Sequence, residues 1–329
     1  MDLDTIKSRF QGTIIGGAVG EALGNPVEGW TPKEIADDYG VLNKYVEMYD
    51  GPGTCTDDME LETSIAQSLV YSGGFDLNDI ARSIARWGAD PTSPGMACQS
   101  AAVKLSQGIS PFESGTDSAG NGAAMRVASL GLLYSLPQDI ELLRECVIKS
   151  SEITHDNNEA VAGALAIAYG ITHNLNSEKY DVNNFLRDVS EFVRGDSKEM
   201  SERIRSIHPL LKESEHKAIQ ELGTGGYVMQ SVPLSVYCFA KSPRNYEESI
   251  IRAVNAGGDA DTNAKMTGNL SGSLNGIEAI PGYLVDGLKP TNWIKKQMIN
   301  NDDVYSMKDY LLYLSDGLFN LYKFNLPEV

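Results

Sequence analysis

The chain has 329 residues, with a hydrophobic fraction of 42% and a charged fraction of 22%, the balance of a soluble globular protein. Its formal net charge is -18, a field that opposes nucleic acid and anionic membrane surfaces. An anionic small ligand fits only where metal ions, helix N-termini or a few arginines reverse that field locally.

The N-terminus, Met1-Asp2-Leu3-Asp4-Thr5, lacks a basic region followed by an apolar run, so no signal peptide is read there. Residues 14–24 carry Gly16, Gly20 and Gly24 at every fourth position, a bare stripe along a predicted helix. In residues 59–70, Leu61, Ile65 and Leu69 share one helical face, and Ile80, Ile84 and Trp87 repeat the pattern. Residues 160–171 form the longest apolar run, too short to span a bilayer, and predict a buried helix. Residues 174–214 are more polar and predict a peripheral helical insertion. Residues 266–276 hold a second glycine stripe, Gly268, Gly272 and Gly276. Tyr310, Leu311, Leu314, Leu318 and Leu321 mark a C-terminal helix.

Strand-like alternation is nearly absent, so the expectation is an all-α protein of a dozen or more helices. Loops are predicted at 49–53, 89–94, 114–120 and 223–226, where Gly, Pro, Asn and Asp gather. The two glycine-striped helices are expected to pack with their backbones almost touching.

The four cysteines, Cys55, Cys98, Cys146 and Cys238, are dispersed and form no CxxC pair. They point to reduced thiols and a cytoplasmic protein. Cys55 reads as a small buried residue, because no histidine neighbours it in sequence.

Two acidic clusters carry the chemistry. Thr56-Asp57-Asp58 precedes one predicted helix, and Gly257-Gly258-Asp259-Ala260-Asp261-Thr262 precedes another. Each alone is explained by helix capping and the helix dipole. Together they mirror each other and offer only hard oxygen ligands, which suits Mg²⁺, Mn²⁺ or Ca²⁺. Four carboxylates in one site repel unless cations neutralise them, which points to two divalent ions. Gly257 and Gly258 are expected to allow unusual backbone angles and leave room for a ligand.

Six segments in order resemble the ADP-ribosylglycohydrolases: residues 16–28, Thr56-Asp57-Asp58, Gly120-Asn121-Gly122-Ala123-Ala124-Met125-Arg126, Thr154-His155, Gly225-Gly226-Tyr227-Val228 and Gly258-Asp259-Ala260-Asp261-Thr262. The resemblance implies one all-α domain over residues 1–329, a compact multi-helix orthogonal bundle with a central dinuclear cleft. It implies two Mg²⁺ (or Mn²⁺) ions held by Thr56, Asp57, Asp58, Asp259, Asp261 and Thr262. It implies that Glu28, Asp57 or Asp58 supplies the catalytic carboxylate. It also implies substrate contacts from Ser118, Gly120, Asn121, Gly122, His155 and Tyr227. Glu21 and Met59 stand where the family often has Asp and Thr, and residues 90–101 form a loop without the expected threonines.

The implied activity is hydrolysis that removes ADP-ribose from an acceptor, foremost ADP-ribosyl-arginine on a protein. A small-molecule ADP-ribose conjugate is the other partner class. Nucleic acid and membrane are not expected as partners, and a monomer is the default. Two alternatives are a non-catalytic ADP-ribose-binding or crystallin-like member and a di-metal nucleotide phosphohydrolase.

Overall fold

The computed structural model describes residues 1–48, 51–298 and 306–326. These form eighteen α-helices and four short 3₁₀ turns, with isolated β-bridges but no β-strand among the described residues. The all-α expectation therefore holds. The predicted helices appear as Asp57–Ser72, Leu77–Trp87, Asn158–Leu175 and Met307–Phe324. Among the described residues, no helix is long and apolar enough to cross a membrane.

Of the predicted loop at 49–53, residues Tyr49 and Asp50 lie outside the described residues. The other three loops are irregular, as expected. The segment 90–101 is a loop only to Gly95, because helix Met96–Ser106 begins there and buries Cys98, Ala101 and Ala102 at helical spacing. Residues 174–214 are helical, and their patterning is clearer than the polar composition implies. Phe185, Val189 and Val193 are buried along one face of Val182–Val193, and Met200 and Ile204 along Lys198–Arg205. Asp181 and Ser197 cap these two helices with side-chain oxygens on the third N–H.

The centre of the fold is an antiparallel seam between helix Leu3–Gly24 and helix Ala260–Asn275. Helix Ala260–Asn275 is almost fully buried, and so is Leu3–Gly24 from Arg9 onward apart from Gln11, so neither needs a polar face there. A Cβ added to Gly272 would lie 1.9 Å from the Gly12 carbonyl oxygen, and one on Gly268 2.1 Å from that of Gly16. Further along, a Cβ on Gly20 would lie 2.2 Å from the Ala264 oxygen, and one on Gly24 2.5 Å from that of Ala260. The seam thus starts one turn earlier than the predicted stripe, at Gly12. Side chains stitch it: Tyr246 donates to the Gly16 carbonyl at 2.7 Å, and Asn269 to that of Thr13 at 2.9 Å. Around it gathers one hydrophobic cluster drawn from nearly every helix.

Gly268→Ala or Gly272→Ala is expected to cost about 3 kcal/mol or more in denaturant unfolding, since rigid backbone cannot yield as a side chain does. Gly195→Ala, where an added Cβ meets nothing within 4 Å, is the control and is expected to change stability by under about 0.5 kcal/mol.

Candidate active site

Both acidic clusters sit at helix starts. Thr56 precedes helix Asp57–Ser72, and Asp259 precedes helix Ala260–Asn275. Capping requires their side-chain oxygens to accept from N–H groups two or three residues on. Neither does. The Thr56 hydroxyl instead donates to Glu21 Oε1 at 2.9 Å, and Asp259 Oδ2 accepts from the Asn121 amide at 2.6 Å. Capping therefore does not account for these residues.

The six proposed ligands line one cavity of about 530 Å³, together with Glu28, Ser118, Gly120, Asn121, Gly122 and His155. Tyr227 does not line it. Its ring is 43% exposed and its hydroxyl donates to Glu159 at 2.9 Å, which excludes a core role and leaves it outside the cavity wall. Carboxylate oxygens of Glu28, Asp259 and Asp261 all lie within 4.8 Å of one another. Asp58 Oδ2 and Asp261 Oδ1 are buried without a hydrogen-bond partner. An unpartnered buried carboxylate oxygen is costly. Hard oxygen donors with such orphaned atoms suit a divalent cation such as Mg²⁺ or Mn²⁺.

Glycine backbone brings Glu28 to this cluster. Gly257 and Gly258 both take positive φ, +68° and +70°. On the side a Cβ would occupy, both pack against the protein's own chain, while Gly258 also lines the cavity. A Cβ on Gly257 would lie 2.3 Å from the Trp30 oxygen, and one on Gly258 2.3 Å from Thr224 Oγ1. Gly258 N–H donates to Trp30 O at 2.8 Å and Gly29 N–H to Gly258 O at 2.7 Å, locking the segment after Glu28 against the Asp259 turn.

The carboxyls are strongly perturbed. Burial pushes Asp57 up to about 8, with Glu21 and Glu60 adding repulsion. Burial raises Asp58 and Asp261 well above the usual range, reinforced by neighbouring carboxylates. Glu28 is exposed as a residue, but the protein around its carboxyl partly desolvates it and raises it, and Asp259 raises it further. Such shifts gather where charge is assembled for chemistry.

The loop at Gly120–Gly122 forms a further part of the cavity wall, adjoining the cluster through Asn121. Gly120 N–H donates to Ser118 Oγ at 3.3 Å and Asn121 N–H to the Gly226 carbonyl at 3.0 Å, so both are engaged within the protein. Gly122 allows close approach: a Cβ there would lie 2.7 Å from His155 Cε1 and 3.0 Å from Cys98 Sγ. Arg126, fully buried, donates to the Gly122 carbonyl at 2.6 Å and to Thr154 Oγ1 at 2.7 Å. Thr154 Oγ1 in turn lies 2.7 Å from His155 Nδ1. Burial first, and the Arg126 charge second, push His155 down to about 3. It is a neutral imidazole on the cavity wall.

Sequence reasoning missed three contributors. Glu21 receives Thr56 N–H, Thr56 Oγ1–H and Met59 N–H, and so holds the start of helix Asp57–Ser72. Gly95 N–H donates to Asp57 Oδ2 at 3.2 Å from the 90–95 loop, which Glu60 anchors through Trp87 and Thr92. Cys98 is the cysteine on the cavity wall, while Cys55 is fully buried and its thiol is pushed up by burial. All four cysteines are free.

The His155 ring is expected to show no charge change between about pH 5 and 8 in heteronuclear NMR. Because its folded value lies below the unfolded one, its contribution to stability is present above about pH 6.5 and is lost as pH falls toward its folded value.

With this geometry in place, the relatives are informative. A family model described as ADP-ribosylglycohydrolase matches residues 2–313. The ADP-ribosylhydrolase ARH3 of Xenopus tropicalis is 30% identical over 83% of this chain and 89% of its own. The ADP-ribosyl-[dinitrogen reductase] glycohydrolase of Rhodospirillum rubrum is 28% identical over 85% and 90%. A solved structure, an ADP-ribosylglycohydrolase-related protein complex, superposes with a TM-score of 0.76 at 25% identity, covering 96% of this chain and 99% of that one. The fold, the order of the motifs and these matches agree: the chain belongs to the ADP-ribosylglycohydrolase family and is an enzyme of that class, removing ADP-ribose from an acceptor.

Proposed function

We propose that this enzyme hydrolyses the N-glycosidic bond of ADP-ribosyl-arginine on a protein, using two Mg²⁺ or Mn²⁺ ions held by Thr56, Asp57, Asp58, Asp259, Asp261 and Thr262. One observation carries the reading: two acidic helix starts, neither used for capping, converge on one cavity with the Gly120–Gly122 loop. Bound there, the ions supply Lewis acidity, neutralising the carboxylates and lowering the pKa of a water.

The protein's own groups divide the remaining work. Asp57 and Asp58 are buried and serve to hold charge, whereas Glu28 is exposed at the cavity edge beside Asp259 and Asp261. Its raised carboxyl is suited to give a proton to the departing guanidine nitrogen or take one from the attacking water. Gly122 and neutral His155 form an uncharged wall where a diphosphate can lie without meeting a carboxylate, and Arg126 adds a positive charge behind it. With the ions offsetting the aspartates, Glu28 is the remaining acidic group at the cavity edge, and it favours a cationic acceptor such as arginine over serine or an acetyl ester. The free, buried cysteines favour a reducing compartment such as the cytoplasm.

The test is a product assay on arginine-, serine- and acetyl-linked ADP-ribose with Mg²⁺ or Mn²⁺. Free ADP-ribose released fastest from the arginine conjugate is expected. Release of phosphate or AMP would identify a phosphohydrolase instead, and binding without release a non-catalytic protein. Asp58→Asn and Asp259→Asn are each expected to lose both metal binding and turnover, and full activity in either sinks the proposed ligand set. Glu28→Gln is expected to lower kcat by about 100-fold with a smaller change in KM.

A pH effect follows from Asp57. A carboxyl raised to about 8 holds a proton at neutrality and must release it to ligate a cation. Mn²⁺ affinity is therefore expected to rise as pH increases toward about 8, with proton release measurable by calorimetry in buffers of different ionisation heat.

A further inference from the structure

Beneath the cavity lies a group of buried charges that the hydrolysis does not use. Lys265 stands one turn after Asp261 on helix Ala260–Asn275, and Glu62 one turn after Asp58 on helix Asp57–Ser72. Their side chains form an ion pair with 0% and 1% exposure. Glu21, from the first helix, places Oε2 4.0 Å from the same ammonium while its Oε1 holds Thr56. The third neighbour of the ammonium is the Met59 sulfur, at 3.0 Å. One lysine thus ties three helices together, one turn along from the ligand pairs that two of them carry.

Stability alone is a poor explanation. A buried ion pair is often no better than two well-packed apolar side chains. Position is more informative. Glu21 Oε2, 4.0 Å from this ammonium, and the cavity oxygens Asp58 Oδ2 and Asp261 Oδ1 are all buried without a hydrogen-bond partner, and the lysine charge acts on Asp58. Among the described residues lining the cavity there is no lysine or arginine. Arg126, the other buried cation on this side, is turned to the carbonyls of Gly122 and Ser150. In a poorly screened interior, charges act beyond contact distance.

We propose that Lys265, held by Glu62 and Glu21, is a resident counter-cation that sets the affinity of the cavity for divalent ions. It offsets part of the carboxylate charge and opposes the ions that bind above it. The inference rests on the metal reading given under Proposed function. Its signature is a sign that depends on charge and not on packing. Neutralising Glu62 alone leaves the lysine charge less compensated, so ions bind more weakly. Removing lysine and glutamate together restores the balance.

The experiment measures Mn²⁺ binding to the full chain by calorimetry. Glu62→Gln is expected to bind about tenfold more weakly than wild type or worse. The double variant Lys265→Met/Glu62→Gln is expected to return to within about threefold of wild type. Glu62→Asp, which keeps the charge, is expected to bind like wild type. Melting curves with and without Mn²⁺ give the same constants should Glu62→Gln prove too unstable for calorimetry. Unchanged affinity in Glu62→Gln, a double variant as weak as the single, or a tenfold loss in Glu62→Asp each overturns the proposal while leaving the metal site intact. No Mn²⁺ binding by the wild type overturns the metal reading itself.

Discussion

Everything in this molecule hangs on one contact, the backbone-to-backbone seam between helices Leu3–Gly24 and Ala260–Asn275. Carbonyl oxygens of one helix occupy the space a side chain would need on the other at Gly12, Gly16, Gly20 and Gly24. Such an approach has no adjustable parts, so it sets the axial register of the two helices rigidly. Register then determines which residues meet at the ends. Glu21 comes beside Lys265, and the segment carrying Glu28 is locked beside the Asp259 turn.

The seam helps explain how so many carboxyl groups can be held in one place. Asp57, Asp58, Asp259, Asp261 and Glu28 share a cavity, and Glu21 and Glu62 lie just below it. Mutual repulsion would spread flexible elements apart. Here the helices that carry the charges are fixed by packing remote from them, through Tyr246, Asn269 and the hydrophobic cluster. Packing stabilises the fold, and the site accepts electrostatic strain that cations can relieve. The stretch of wall formed by Gly120–Gly122 and His155 is built differently. Its backbone N–H groups are partly engaged, its imidazole is neutral, and its one buried guanidinium faces carbonyls. The cavity therefore joins an acidic cluster to an uncharged stretch of wall, with the Asn121–Asp259 hydrogen bond at the junction.

Much of this was legible in residue order. The glycine stripes, the amphipathic helices and the two acidic turns are local patterns, and local patterns survive in sequence. What sequence reasoning left open were questions of who occupies a given space. Gly257 and Gly258 were readable as conformationally special, but not that Trp30 and Thr224 fill their Cβ sides while Gly258 still lines the cavity. Tyr227 sits in a matched motif yet stands outside the cavity wall. The Glu21–Lys265–Glu62 group left almost no trace, since its members come from three helices far apart in the chain. The one available clue was a lysine set among the small residues of a glycine-striped helix, where a solvated face is hard to build.

By itself, the sequence determined the helical class, the pairing of the two glycine stripes, the hard-oxygen character of the acidic turns and the family. These follow from side-chain chemistry and short-range spacing. Only the tertiary structure decided that Glu28 joins Asp259 and Asp261, that Thr56 and Asp259 do not cap their helices, and that a buried lysine pairs with Glu62 beside Glu21. The reason is physical: each depends on the depth and register with which separate helices pack, and at the seam that register is set by backbone contact between residues more than two hundred positions apart in the chain.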